Sequence, residues 1–216
     1  MPSSSPLPRR ALAACLLLPL IGLRAGPAWA DPTDQAAAFI RQAGNDLAAI
    51  VDAPNPASVK RQRLGPFIAR VVDVPAVARF CLGRFWRLAS PAQQAEYQRL
   101  FHGILLDSVM ARVGDYRGPQ AKGMHVVIGR TEPRGQDIYV PTTVERSDAP
   151  SAQVTWVVRP EAAGPRIIDL IAEGTSLRIT VRADYASFLT QHNDDIPALL
   201  AAMRRQITAS ESGAGH

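Results

Sequence analysis

Cysteine and histidine are scarce in this sequence. Its 216 residues include two cysteines, Cys15 and Cys81, and four histidines. No two histidines have a metal-ligand spacing, and no H-E-x-x-H motif occurs. The sequence therefore predicts neither a disulfide framework nor a metal centre, and the packing of apolar side chains must supply the stability of the fold.

Aromatic residues and lysine are also rare. Aromatic residues make up 6% of the chain and hydrophobic residues 47%, and only two of the 24 basic residues are lysines. This hydrophobic content is enough for a packed, mainly aliphatic core and argues against disorder. Neither a phosphate-cradling glycine loop nor a dinucleotide-binding fingerprint occurs, so no cofactor is expected.

Residues 1–30 have the features of a secretory signal peptide. Arg9-Arg10 precedes an apolar run of 13 residues (11–23), and the segment ends with Ala28-Trp29-Ala30. The run is shorter than the roughly 20 residues needed to cross a bilayer, which disfavours a retained anchor. The paired arginines leave both the general secretory and the twin-arginine export routes open.

Removal of that segment changes the charge and cysteine content. It contains three arginines and no acidic residue, so 21 basic and 19 acidic residues remain, a net charge of +2. This balance argues against a nucleic-acid-binding protein. Cys81 remains without a second cysteine and is expected to be a small buried hydrophobic residue. We expect one domain over 31–208 and a disordered tail at 209–216.

Hydrophobic periodicity predicts helices in the first half and at the end of the chain. The expected helices cover 34–51, 57–72, 73–82, 90–114, 177–191 and 195–207. Asp34 is expected to cap the first helix, and Gly83 to end the third. The clearest boundary is Ser90 to Gln93, which forms a capping box with Pro91 in the first helical position. The helix that follows carries a stripe that is apolar except for Ser108: Tyr97, Leu100, Phe101, Ile104, Leu105, Ser108 and Val109.

An alternating pattern predicts four consecutive strands in the middle of the chain. They lie near 126–128, 138–144, 154–158 and 166–171. The separating segments 132–135, 148–151 and 160–165 contain turn-forming residues. Short connections make an antiparallel meander, so the sequence predicts an α+β domain with helices packed around a curved four-stranded antiparallel sheet.

Few residues in the sequence suggest catalysis. The segment around Ser176 lacks the second glycine of a nucleophile elbow, and Ser176 is expected to cap the next helix after a tight turn at Gly174. Capping or ion pairing is the preferred interpretation of Asp169 and Glu173. A small hydrolase that uses Asp169, Glu173 or Ser176 remains an alternative, as does an adaptor that binds only proteins. The absence of a convergent polar site favours a carrier over an enzyme.

Three segments resemble a known family. They are Leu82 to Arg87 (LGRFWR), Ser90 to Gln93 (SPAQ) and Asp169 to Ser176 (DLIAEGTS). Their order and spacing resemble those of the MlaC or toluene-tolerance family, the periplasmic phospholipid-binding proteins of an ABC-type lipid transport system. The resemblance extends over about residues 34–206. Ile168 stands where that family often has an aromatic residue.

The resemblance implies a periplasmic lipid carrier rather than an enzyme. Such a carrier moves phospholipid between an outer-membrane lipoprotein complex and an inner-membrane ABC-type transporter, and so supports the lipid asymmetry of the outer membrane. We expect a monomer whose ligand is a lipid. A similar branch of the family is associated with hopanoids, so a polycyclic lipid is an alternative ligand.

The energetics of lipid chains favour an enclosed apolar cavity between sheet and helices. Exposure of roughly 30 methylenes to water costs on the order of 24 kcal/mol, at about 0.8 kcal/mol each. One or two polar contacts cannot offset that cost. The expected lining residues are Phe80, Phe85, Trp86, Phe101, Leu105, Val109, Val126, Ile138, Val140, Trp156 and Ile168. Arg84 and Arg87 are candidates for contact with a phosphate or an acidic partner surface.

Overall fold

The computed structural model describes residues 31–115, 125–145 and 151–213. The predicted signal peptide lies outside these residues. The helices are α1 (Pro32–Asp52), α2 (Ala57–Val71), α3 (Val74–Leu82), α4 (Pro91–Asp115), α5 (Leu177–Gln191) and α6 (Ile196–Gly213), with a short 3-10 helix (Gly83–Arg87) between α3 and α4. All six predicted helices are present, and α6 continues past its expected end at residue 207 to Gly213.

Side-chain caps explain where several of these helices begin. Gln93 Oε1 accepts a hydrogen bond from Ser90 N (2.8 Å), and Ser90 Oγ accepts one from Gln93 N (3.3 Å), which confirms the capping box. The prediction for α1 was wrong by three residues. Asp31 rather than Asp34 is its cap and accepts a hydrogen bond from Thr33 N, because Pro32 already adopts the helical conformation.

One antiparallel sheet follows the first four helices. Its strands are β1 (His125–Ile128), β2 (Glu132–Arg134), β3 (Asp137–Glu145), β4 (Ala152–Arg159), β5 (Arg166–Ala172) and β6 (Thr175–Ser176). The order is β1-β3-β4-β5-β6, with β2 also paired to β3. The four predicted strands are all present, and β2 and β6 are additional.

The additional strand β2 corrects the expected turn at 132–135. Glu132 pairs with Tyr139 and Arg134 with Asp137, so the turn is confined to the next two residues, where Gly135 has φ of 64°. Pro133 is compatible with this edge position because an edge strand can lack one amide donor. β1 and β2 therefore pair with successive halves of β3, and 129–131 interrupt the edge of the sheet.

The helices pack on the sheet through a continuous apolar core. α1 lies against β3, and α2, α3 and α5 lie against β5. The link between α2 and α3 is attached to β5 by hydrogen bonds. Asp73 N donates to Ile167 O (2.9 Å), and Arg166 donates to Ala69 O in α2 and to Val72 O just after it. Among the described residues, no helix is long and apolar enough to cross a membrane.

The end of α3 depends on a glycine. Gly83 has φ of 59° and ψ of −128°, a conformation that side chains disfavour, and a Cβ there would lie 3.3 Å from the Arg182 guanidinium. We expect Gly83→Ala to lower the free energy of unfolding by about 1–3 kcal/mol, measured by urea denaturation. Gly44→Ala in α1 is the control, because its Cβ would meet nothing within 4 Å. Equal stability of the two variants would contradict the argument.

Candidate functional site

A cavity of about 710 Å³ opens beside α3. Its walls come from α3, the 3-10 helix, the end of β4, the start of β5 and the first half of α5. The residues that line it are Ala76, Val77, Arg79, Phe80, Gly83, Arg84, Trp86, Arg87, Arg159, Ile168, Arg178 and Arg182. Apolar and cationic side chains therefore meet in one cavity, and none of its lining residues within 31–115, 125–145 and 151–213 is a carboxylate.

Local structure places the apolar part of this lining. Ala76, Val77 and Phe80 recur at helical spacing, so they share one face of α3, and Gly83 follows directly after the helix. Ile168 on β5 closes the inner side and is 1% exposed. Phe80 and Trp86 are half-buried and pack against the core. The arrangement provides an apolar wall that is open to solvent at one side.

Two of the six lining arginines are paired with carboxylates. Arg159 donates two hydrogen bonds to Asp137, at 2.8 and 3.1 Å, and these bonds raise the pKa of the guanidinium. Arg178 Nε lies 3.3 Å from Asp169 Oδ2. In the described part of the chain, the other four have no carboxylate partner: Arg79, Arg84, Arg87 and Arg182. The cavity therefore carries an excess of positive charge.

Aromatic rings hold several of these guanidinium groups in place. Phe80 is contacted by two of them, with Arg178 Cζ 4.6 Å and Arg182 Cζ 4.9 Å from its ring centroid. Arg84 Cζ lies 4.7 Å from the centroid of Phe85. Stacking on a ring face leaves the N–H donors at the edge of the guanidinium plane available to a ligand.

Asp169 is a structural residue at the edge of this site. Its side chain is 3% exposed and accepts hydrogen bonds from Leu170 N (2.8 Å), Arg178 N (3.1 Å) and Ser176 Oγ (2.5 Å). These three donors and the arginine beside it occupy the carboxylate oxygens, so Asp169 has no oxygen directed at a substrate. The predicted ion pairing and capping role therefore describes Asp169 well.

The other residues of the hydrolase alternative do not complete a catalytic site. Ser176 Oγ donates to Asp169 and accepts from Ile179 N (3.3 Å), so Ser176 caps α5 as expected. Glu173 is exposed in the turn before Gly174. Cys81 is buried, and burial raises the pKa of its thiol to about 12, so it is a poor nucleophile. No group of metal-ligating side chains occurs within 31–115, 125–145 and 151–213.

The eleven predicted lining residues occupy four kinds of position. Bordering the cavity are Phe80, Trp86 and Ile168. Buried in the apolar core are Phe85, Phe101, Ile138 and Val140. Half-buried against that core are Leu105, Val109 and Trp156. Val126 is 57% exposed on the edge strand β1. Contact of these residues with a lipid remains a prediction.

Sequence reasoning named only two of the six lining arginines, Arg84 and Arg87. Arg178 and Arg182 are spaced i, i+4 on α5 and therefore share a face, a pattern that is visible in the sequence. Arg159 joins them from the end of β4, far away along the chain, and no local pattern indicates it.

Comparisons with known proteins place this geometry in context. No curated protein matches the chain. A solved structure of a phospholipid-binding protein from Ralstonia solanacearum, in complex with a phospholipid, matches with a TM-score of 0.70 at 20% identity, over 82% of this chain and 99% of that one. At that identity the match supports the α+β fold. Residues 41–205 match the MlaC protein family, and the chain therefore belongs to the MlaC family.

Proposed function

We propose that this protein is a periplasmic lipid carrier that binds a phospholipid in the cavity beside α3. The observation that carries the proposal is the combination of an apolar wall with an arginine-rich mouth, which suits a ligand with apolar chains and a phosphate. Membership of the MlaC family supports it, as does the similar fold that binds a phospholipid in the Ralstonia protein.

The cavity volume defines how much of a lipid it can hold. Two chains with roughly 30 methylenes need about 900 Å³, if each methylene takes about the 30 Å³ of a water molecule. The cavity, which is open at one side, has a volume of the same order, about 710 Å³. Any part of the chains that this space does not hold is accommodated in this proposal by movement of three half-buried side chains that pack against the core, Leu105, Val109 and Trp156.

The same observations favour a phospholipid over the alternatives. A hopanoid-type polycyclic lipid without a phosphate gains little from four arginines that lack carboxylate partners. A hydrolase needs a free base, whereas the candidate carboxylate Asp169 is held by three hydrogen bonds. An adaptor that binds only proteins needs an apolar surface but no cavity, whereas the apolar wall here lies inside a cavity of about 710 Å³.

We further propose that the carrier works as a monomer between an inner-membrane ABC-type transporter and an outer-membrane lipoprotein complex. Transfer of a lipid from one apolar binding site to another changes the free energy little, because the acyl chains are shielded from water in both sites. The direction of transport is therefore set by the partner complexes, and the N-terminal segment 1–30 directs export to the periplasm.

Organic extraction and mass spectrometry of the purified protein test the proposal. We expect about one phospholipid per chain, and a several-fold loss in Ala76→Trp, because the indole occupies the cavity wall. Ala95→Trp, at an exposed position on α4, is the matched control and should keep its lipid. Lipid-free wild-type protein would refute lipid carriage, and undiminished lipid in Ala76→Trp would place the chains elsewhere.

A further inference from the structure

The positive charge at the cavity mouth indicates which class of lipid head group the protein binds. Among the residues that the structure describes, six arginines and no carboxylate line the cavity. Asp137 and Asp169 each neutralise one arginine from outside the lining. The four arginines that remain, which we call the rim arginines, are Arg79, Arg84, Arg87 and Arg182. Each is exposed at the mouth, so a bound head group enters a region of uncompensated positive charge.

Three of the four rim arginines are positioned before a ligand arrives. Arg84 stacks on Phe85, Arg182 stacks on Phe80, and Arg79 Cζ lies 5.8 Å from the centroid of Trp86. Arg182 also contacts the carbonyl end of α3, with Nη1 3.4 Å from Phe80 O. Stacking leaves the planar set of N–H donors free, and that set matches the geometry of phosphate oxygens.

We propose that the rim arginines make this carrier selective for phospholipids with a net negative charge. The inference rests on the proposed function and adds the class of head group. The phosphate of any glycerophospholipid can meet the rim. A zwitterionic lipid such as phosphatidylethanolamine also brings an ammonium group, and in the described part of the chain no carboxylate lines the cavity to pair with it. Phosphatidylglycerol presents the same phosphate with a neutral glycerol and avoids this repulsion.

A competition experiment tests the selectivity. Lipid-free protein is incubated with vesicles of equimolar phosphatidylglycerol and phosphatidylethanolamine with identical acyl chains, and the bound lipids are extracted and quantified by mass spectrometry. We expect about tenfold enrichment of phosphatidylglycerol at low salt, because the rim arginines repel the ammonium group of phosphatidylethanolamine. The enrichment should fall at about 1 M salt, where screening acts within about 3 Å.

Substitution identifies the residues responsible. Arg84→Gln together with Arg87→Gln should lower the enrichment, measured as the ratio of the two bound lipids, at least about threefold. Arg63→Gln together with Arg205→Gln is the control, because it removes the same charge from exposed positions on α2 and α6 outside the cavity. Equal enrichment in the two double variants would overturn the assignment to the rim.

The outcomes separate this inference from the proposed function. Bound lipid in the same ratio as in the vesicles would overturn the selectivity and leave lipid carriage intact. Failure to bind either lipid would refute the proposed function itself.

The rim arginines could also bind a free phosphate ion instead of a lipid head group. Titration of lipid-free protein with inorganic phosphate distinguishes the two. We expect no saturation at millimolar phosphate, and saturation without lipid preference would overturn the inference.

Discussion

Replacing Asp169 with alanine should lower the free energy of unfolding by about 3–5 kcal/mol, the cost of breaking a buried ion pair from one side. Arg178, 20% exposed, would lose its carboxylate partner, and the amides of Leu170 and Arg178 would lose their acceptor. Urea denaturation followed by circular dichroism measures the change. The effect is expected whether or not lipid is bound, because Asp169 stabilises the structure around the cavity and does not itself line the cavity.

Two milder variants keep this prediction testable if Asp169→Ala fails to fold. Ser176→Ala removes the cap of α5 and one hydrogen bond to Asp169, and should cost about 1–2 kcal/mol. Glu173→Gln in the same hairpin changes an exposed carboxylate and should leave stability within about 0.5 kcal/mol of wild type. A larger loss in Glu173→Gln than in Ser176→Ala would contradict the structural account.

Tyr97→Ala should have an effect of similar size, a loss of about 3–5 kcal/mol. Tyr97 is fully buried, and its ring centroid lies 6.5 Å from that of Trp86, 5.9 Å from Phe101 and 6.1 Å from Tyr185. The cluster joins α4 to the 3-10 helix and α5, so a cavity at its centre removes contacts on three sides. The measurement is again the free energy of unfolding in urea.

Tyr97→Phe separates ring packing from hydrogen bonding at this position. The Tyr97 hydroxyl donates to Ala78 O (3.0 Å) on α3, and burial raises the pKa of Tyr97, so the phenol stays neutral. Loss of this single bond should cost about 1 kcal/mol. If phenylalanine and alanine destabilise equally, the hydroxyl rather than the ring stabilises the cluster, which would reverse the interpretation.

Local signals predicted the parts of the fold that local chemistry determines. The box of Ser90 and Gln93, the cap Ser176 and the stop at Gly83 each act within a few residues, and the structure confirms all three. The sequence did not predict the strand β2, because its conformation depends on pairing with another strand rather than on its own residues. Pro133 has the local preference of a turn, and its conformation is set by pairing with Ile138 across the sheet.

The candidate site was only partly predictable, because it is assembled from distant segments. Arg79 comes from α3, Arg159 from β4 and Arg182 from α5, and only tertiary packing brings them to one mouth. The apolar residues pose a different difficulty. Phe80 and Phe101 have the same chemistry in the sequence, yet one borders the cavity and the other is 8% exposed in the core.

The interrupted edge of the sheet affects how the protein behaves between loading and unloading. A long, straight outer strand is a template on which further chains can add strands and form aggregates. Here the outer strand is broken into segments of four and three residues, and Pro133 removes a donor from the shorter one. The broken edge therefore offers few free backbone groups to another chain, which protects a lipid-free carrier with exposed apolar surface from forming fibrils by strand addition.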